Sequence, residues 1–156
     1  MGASPSNDVI QGSESASAPV NAARRSIVVN VSVERAYQQW ARVEDLPKFI
    51  TPLRNVRRID DTQFSYTWHP DGEEREGTLH IVLQIPCRRI AWRMLSDPLM
   101  SGVVSFERRS KQQTEVTLKI RSLFDPPTLS PRLEEYLGNF KRLLESEDKQ
   151  NENLSF

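Results

Sequence analysis

The chain has 156 residues and a formal net charge of zero, enough length for one domain with a real core. Its single cysteine, Cys87, excludes an intrachain disulfide and a Cys-rich zinc site, and fits a reducing, cytoplasmic setting. No apolar run approaches the roughly 20 residues needed to span a bilayer, and no secretory signal is visible. The chain therefore reads as soluble, with any lipid contact peripheral or inside a pocket. Between Arg24 and Glu145 there are 20 basic and 16 acidic residues. A net of +4 is too small to argue for nucleic acid, and none is expected as a partner.

Residues 1–23 are rich in Ser, Ala, Asn and Gly and lack apolar periodicity. They cannot bury enough surface to offset chain entropy, so a disordered tail is expected there. Order begins with SIVVNVSVERAYQQWARVEDLPKFI, residues 26–50. Ile27, Val29 and Val31 alternate with Val28 and Asn30, the period of a strand. Ser32 is a helix N-cap, and Val33, Ala36, Tyr37 and Trp40 behind it form an apolar helical stripe. Glu44 to Pro47 begin a second short helix, with Pro47 in its first turn, closed by Phe49 and Ile50.

A run of strands follows. Leu53, Val56 and Ile59 break strict alternation, which suggests a bulge. Asp60-Asp61 makes a turn. Phe64, Tyr66 and Trp68 share one face of the next strand, which ends at Pro70-Asp71-Gly72. In Glu73 to Ile85, Leu79, Ile81, Leu83 and Ile85 are expected on one face, opposite Glu76, Thr78, His80, Val82 and Gln84. Pro86-Cys87-Arg88 turns the chain into Arg89–Leu95, with Ile90, Trp92 and Met94 facing one way, and Asp97-Pro98 breaks the pattern. Two more strands, Gly102–Arg108 and Glu115–Arg121, precede Asp125-Pro126-Pro127. The connections are too short for crossover helices, so the sheet must be an antiparallel meander. Each strand has one apolar face, so the sheet covers a core on one side only.

Ser130 and Pro131 then start a last helix of about four turns. Leu133, Tyr136, Leu137, Phe140, Leu143 and Leu144 form its apolar face. Gly138 disfavours a helix interior and is expected to admit a strand or ligand at close range. Residues 147–156 form a polar tail.

The order strand, two helices, six strands, helix (β-α-α-β6-α) defines an α+β class. The segments at residues 26–50, PCRRIAWR at 86–93, GVVSFE at 102–107 and TEVTLKI at 114–120 carry a resemblance to a known family. Over Arg24–Ser146 the chain resembles the polyketide cyclase/dehydrase and lipid-transport superfamily (START-like, Bet v 1-like or SRPBCC). The similarity extends to its bacterial single-domain cyclase/dehydrase proteins and its coenzyme Q-binding START-domain group. The resemblance implies a helix-grip fold over residues 24–146, a curved sheet of about seven strands wrapped round the C-terminal helix. It also implies a cavity between sheet and helix. Relatives often carry a longer segment where this chain has only Leu123 to Ser130, a departure that bears on the pocket mouth.

Residues expected to line such a cavity for a small hydrophobic ligand are Phe49, Phe64, Tyr66, Trp68, Trp92, Met94, Phe106, Tyr136 and Phe140, with Ile90 and Leu118 completing the apolar wall. The same stripe equally describes an ordinary core. His69 and His80 lack companions at metal spacing, and no metal or cofactor is expected. Asp97 reads as a solvated turn carboxylate or a pocket rim. Cys87 sits beside Arg88 and Arg89 at a hairpin tip, where an exposed thiol is expected and nearby charge would raise its reactivity. Arginines cluster at Arg54, Arg57 and Arg58, at Arg88, Arg89 and Arg93, and at Arg108 and Arg109. If two clusters meet on the outer face they suit an acidic partner, an anionic lipid head group or RNA.

Three functions stay open. A non-enzymatic carrier of a lipid, quinone or polyketide-like aromatic ranks first, because no acid/base pair falls on the inner faces and no catalytic residue is assigned. A cyclase or dehydratase assisted by Tyr66, Tyr136 or Asp97 ranks second. A protein-interaction module with a filled core is the third, its partner unknown.

Overall fold

The computed structural model describes residues 21–69, 72–95, 100–122 and 129–154. Residues 1–20 of the expected tail (1–23) and the turns at Pro70-Asp71, Asp97-Pro98 and Asp125-Pro126-Pro127 lie outside the described residues.

Seven strands form one antiparallel sheet: β1 (Asn21–Val29), β2 (Leu53–Arg58), β3 (Gln63–Trp68), β4 (Arg75–Ile85), β5 (Arg89–Met94), β6 (Met100–Ser110) and β7 (Gln113–Ser122). Strands β2 to β7 lie in sequential order, and β1 closes the far side by pairing with β7. Helix α1 (Val33–Ala41) and a 3-10 helix (Val43–Lys48) connect β1 to β2, and helix α2 (Leu129–Leu154) ends the chain. This is the helix-grip arrangement, with the core between the inner sheet face and the helices.

Local sequence accounts for the opening elements. The Ser32 hydroxyl accepts from Arg35 N at 3.2 Å and caps α1. Val33, Ala36, Tyr37 and Trp40 are all buried. The following helix is a single 3-10 segment that begins at Val43, so Pro47 stands near its end rather than in its first turn. Asn55, with φ of 53°, sits in the β2 bulge between Arg54 and Arg57, a left-handed conformation that Asn tolerates. The bulge sets buried Leu53 and Val56 three residues apart and leaves Ile59 exposed. Asp60 Oδ1 accepts from the backbone N–H of Thr62 and Gln63, at 3.0 and 2.9 Å, and makes the next turn.

Three further elements depart from the sequence expectation. In β4 the register shifts between Ile81 and Leu83. The extra residue reverses the facing of everything after it, so Leu79 and Ile81 face the core whereas Leu83 and Ile85 are 41 and 37% exposed. Gln84, opposite buried Ile90, takes the inner face instead; it remains exposed, and its Nε2 donates to the Tyr37 hydroxyl at 2.9 Å. Helix α2 starts at Leu129, so Ser130 lies inside it, and it runs on through residues 147–154, where a tail was expected. Where that extension begins, Arg35 Nη2 donates to Glu147 Oε1 at 2.5 Å and joins α2 to α1. At the other end, β1 starts at Asn21, ahead of the expected boundary at Arg24.

Candidate functional site

The inner wall is assembled from five elements. Strand β3 supplies Phe64, Tyr66 and Trp68, β5 supplies Trp92 and Met94, and β6 supplies Phe106. The 3-10 helix delivers Phe49 as its C-terminal flanking residue, and α2 supplies Tyr136 and Phe140. All nine are buried.

Trp40 gathers part of this set at one end. Its ring centroid lies 4.9 Å from Phe49, 5.2 Å from Phe140 and 6.4 Å from Trp92. Phe49 and Phe140 also touch, at 5.0 Å. Offset and edge contacts of this kind add to the hydrophobic gain from burying the rings. Asn139 Nδ2 donates to the Phe49 carbonyl at 3.1 Å, so α2 holds the end of the 3-10 helix through backbone as well as rings. Phe106 stands apart from this cluster and packs edge-on against Tyr37, at 5.8 Å. Phe64 lies on β3 with the Arg58 guanidinium 4.8 Å above its ring.

Trp40 and Tyr37 belong to the same interior, and exposed Gln84 meets its edge at the Tyr37 hydroxyl; none of the three is among the expected site residues. Trp40 and Tyr37 were visible as part of the α1 stripe. Gln84 was not, because only the β4 bulge turns it inward. Gln39 is the other surprise. It is wholly buried on α1, and neither its Nε2 nor its Oε1 meets a hydrogen-bond partner. Among the described residues the other buried polar side chains are Thr67, Thr114 and Ser122. Thr114 is satisfied by donating to the Val31 carbonyl at 3.0 Å.

Several residues weighed for chemistry fall elsewhere. His80 stands opposite Gln63 and Arg93, out of phase with Leu79 on the sheet, and His69 follows the end of β3. Among the described residues no three His, Cys, Asp or Glu side chains could share a metal ion. Cys87 sits at the hairpin tip with φ of 61°, yet it is half-buried against the core rather than exposed. Gly138 admits no close neighbour: a β-carbon there would meet only the Arg142 guanidinium, at 3.6 Å. Arg109 is absorbed by ion pairing with Glu115 and Glu107.

Midway along α2, Lys141 Nζ donates to Glu145 at 2.6 Å and to the Val28 carbonyl at 2.9 Å. Asn30 N donates to the same carboxylate at 2.8 Å. Burial pushes the Glu145 carboxyl up, but the hydrogen bonds from Lys141 and Asn30 outweigh it and hold the group below its ordinary value. This clamp joins α2 to the chain between β1 and α1.

The profile of the polyketide cyclase / dehydrase and lipid transport family matches residues 29–145. An uncharacterized 17.2 kDa protein from the melC2-rnhH intergenic region of Streptomyces lincolnensis is 31% identical over 118 residues, covering 75% of this chain and 77% of its own. Among solved structures, DR_A0006 from Deinococcus radiodurans superposes with a TM-score of 0.66 at 26% identity, covering 78% of this chain and 95% of its own. The di-domain ARO/CYC StfQ of the steffimycin biosynthetic pathway superposes with a TM-score of 0.71 at 18% identity, covering 83% of this chain and 46% of StfQ. The chain belongs to the polyketide cyclase/dehydrase and lipid transport family. No helix among the described residues is long and apolar enough to cross a membrane.

Proposed function

We propose that the protein binds and carries a small hydrophobic or amphipathic molecule, a lipid, a quinone or a polyketide-like aromatic, between the inner sheet face and α2. The observation that carries this reading is the chemistry of the wall. It combines aromatic rings with the hydroxyl tips of Tyr66 and Tyr136, and the buried polar side chains among the described residues include no carboxylate and no imidazole. Affinity then comes from apolar burial, at about 25 cal/mol per Å², and orientation from a few hydroxyl or indole groups. Membership of a family named for lipid transport supports it. Phe49 and Trp40, held against Phe140, would form the closed end of the grip.

The test is gentle purification followed by native mass spectrometry, with thermal-shift measurements against fatty acids, quinones and flavonoids. A retained molecule or a clear upward shift supports carriage. A bare protein with no shift overturns it and favours a filled core serving protein contacts.

A second reading, a polyketide cyclase or dehydratase, draws on the family and on the likeness to StfQ. There the wall would fold a reactive chain and a tyrosine would act as the proton donor. It predicts turnover of a poly-β-ketone substrate that falls at least about tenfold in Tyr66→Phe or Tyr136→Phe. Unchanged turnover in both removes the tyrosines from that role.

A further inference from the structure

The outer face of the sheet carries an open groove of about 440 Å³, lined by outer-face side chains and bordered by Trp92, Gly102 and Ile120 of the intervening rows. Its character follows from strand register. Arg121 on β7, Ser101 on β6 and Arg93 on β5 are Cα partners in one row across three adjacent strands. Strands stand about 4.8 Å apart, so two long guanidinium side chains flank a single serine hydroxyl. The next row runs Arg24, Lys119, Val103, Ala91, Leu83. It passes from two cations to three apolar side chains. Val82, also on the groove and half-exposed, extends the apolar end, and it is the β4 bulge that brings Leu83 out beside it.

All four cations of the groove are exposed, and no carboxylate lines it. Among the described residues none of Arg24, Arg93, Lys119 and Arg121 enters an ion pair, whereas Arg25, Arg35, Arg75, Arg109 and Lys141 each do. In a chain of zero net charge this leaves an uncompensated positive field focused on a small concavity. Arginine pairs recognise planar or tetrahedral oxyanions through paired N–H donors, and a phosphate monoester carries close to two negative charges near neutral pH. Ala91, Val103 and Ser101 are small enough to leave the floor open.

We propose that this groove is a second binding site, for a phosphate monoester with an apolar body. The phosphate sits over Ser101 between Arg93 and Arg121, with Lys119 and Arg24 beside it. The apolar body lies along Val103 and Ala91 toward Val82. Arg93, Ser101, Val103, Lys119 and Arg121 stand in rows that alternate with the inner-wall positions, so the groove and the space between sheet and α2 lie on opposite faces and share only the intervening Trp92, Gly102 and Ile120.

The test titrates the full chain with hexyl phosphate, and separately with inorganic phosphate and with hexanol, by isothermal calorimetry. Hexyl phosphate is expected to bind at least about tenfold more tightly than either half alone. The affinity should fall at least about tenfold in the double variant Arg93→Gln/Arg121→Gln, and also in Ser101→Glu, which supplies the arginines with a carboxylate of their own. Arg93→Lys/Arg121→Lys should retain part of it, and Tyr136→Phe on the inner wall should retain all of it. These outer-face substitutions alter exposed or half-buried positions, and circular dichroism confirms that each variant is folded. A parallel sedimentation with phosphatidylcholine vesicles containing phosphatidic acid separates two sources of the phosphate. Vesicle binding lost in the same variants assigns the head group to a bilayer, whereas hexyl phosphate binding without vesicle binding assigns a soluble phosphate ester. Absence of both, or hexyl phosphate binding unchanged in the variants, overturns the site.

Discussion

Trp92 lies across the backbone of Gly102, its partner on the neighbouring strand. A β-carbon on Gly102 would stand 2.4 Å from Trp92 Cζ2 and 2.8 Å from Ile120 Cδ1. The indole is a rigid ring held by Trp40, so it cannot yield as a flexible chain end would. Gly102→Ala is expected to cost about 1–3 kcal/mol, the usual range for overpacking a core. Denaturant unfolding measures it, and a variant as stable as the parent would show that the ring can shift.

Gly138 makes the opposite case. Its surroundings leave ordinary van der Waals room, with only the Arg142 guanidinium nearby. Gly138→Ala should therefore stabilise the protein by about 1 kcal/mol through helix propensity alone. The thermal midpoint should rise by several degrees, and a fall would reveal a requirement for close approach at this turn of α2.

Gln39 carries a buried amide with no partner on either atom. Leaving such a group unsatisfied costs about 1–3 kcal/mol. Gln39→Met keeps a similar shape and removes both polar atoms, so chemical denaturation should show a gain of that order. A loss of stability would mean that the amide finds a partner in the working protein, and would make Gln39 a polar handle of the interior.

Glu145 gives the stability a pH signature. Its carboxyl is held below its ordinary value in the folded protein, so the folded state favours the ionised form. The stabilisation is complete above the ordinary carboxylate value of the unfolded chain and is lost as pH falls through the lower folded value. The advantage of the native chain over Glu145→Gln should be constant from pH 7 to about pH 5 and shrink steadily below it. An advantage independent of pH down to pH 3 would remove the clamp formed by Lys141 and Asn30 from the account.

Legibility differed from residue to residue for physical reasons. The Ser32 cap, the Val33–Trp40 stripe, the Asp60 turn and the alternation through Phe64, Tyr66 and Trp68 are local. Each depends on chain neighbours and on backbone periods of 3.6 or 2, and each is formed as the sequence implies. The second half of β4 departs from simple alternation, since one extra residue in a ladder is invisible to a rule that counts by two. Gly138 has no close neighbour across from it, and its spacing in the chain says nothing of what stands opposite.

The chain by itself therefore determined the α+β class, the order of elements, the inward aromatic set and the family resemblance, because these follow from short-range periodicity and motif order. Only the tertiary structure decided that Trp40 binds Phe49, Trp92 and Phe140 together, that Gln84 faces in while Leu83 faces out, and that Arg93 and Arg121 flank Ser101. Those relationships depend on strand register and on elements far apart in the chain, which meet only when the apolar faces are buried together.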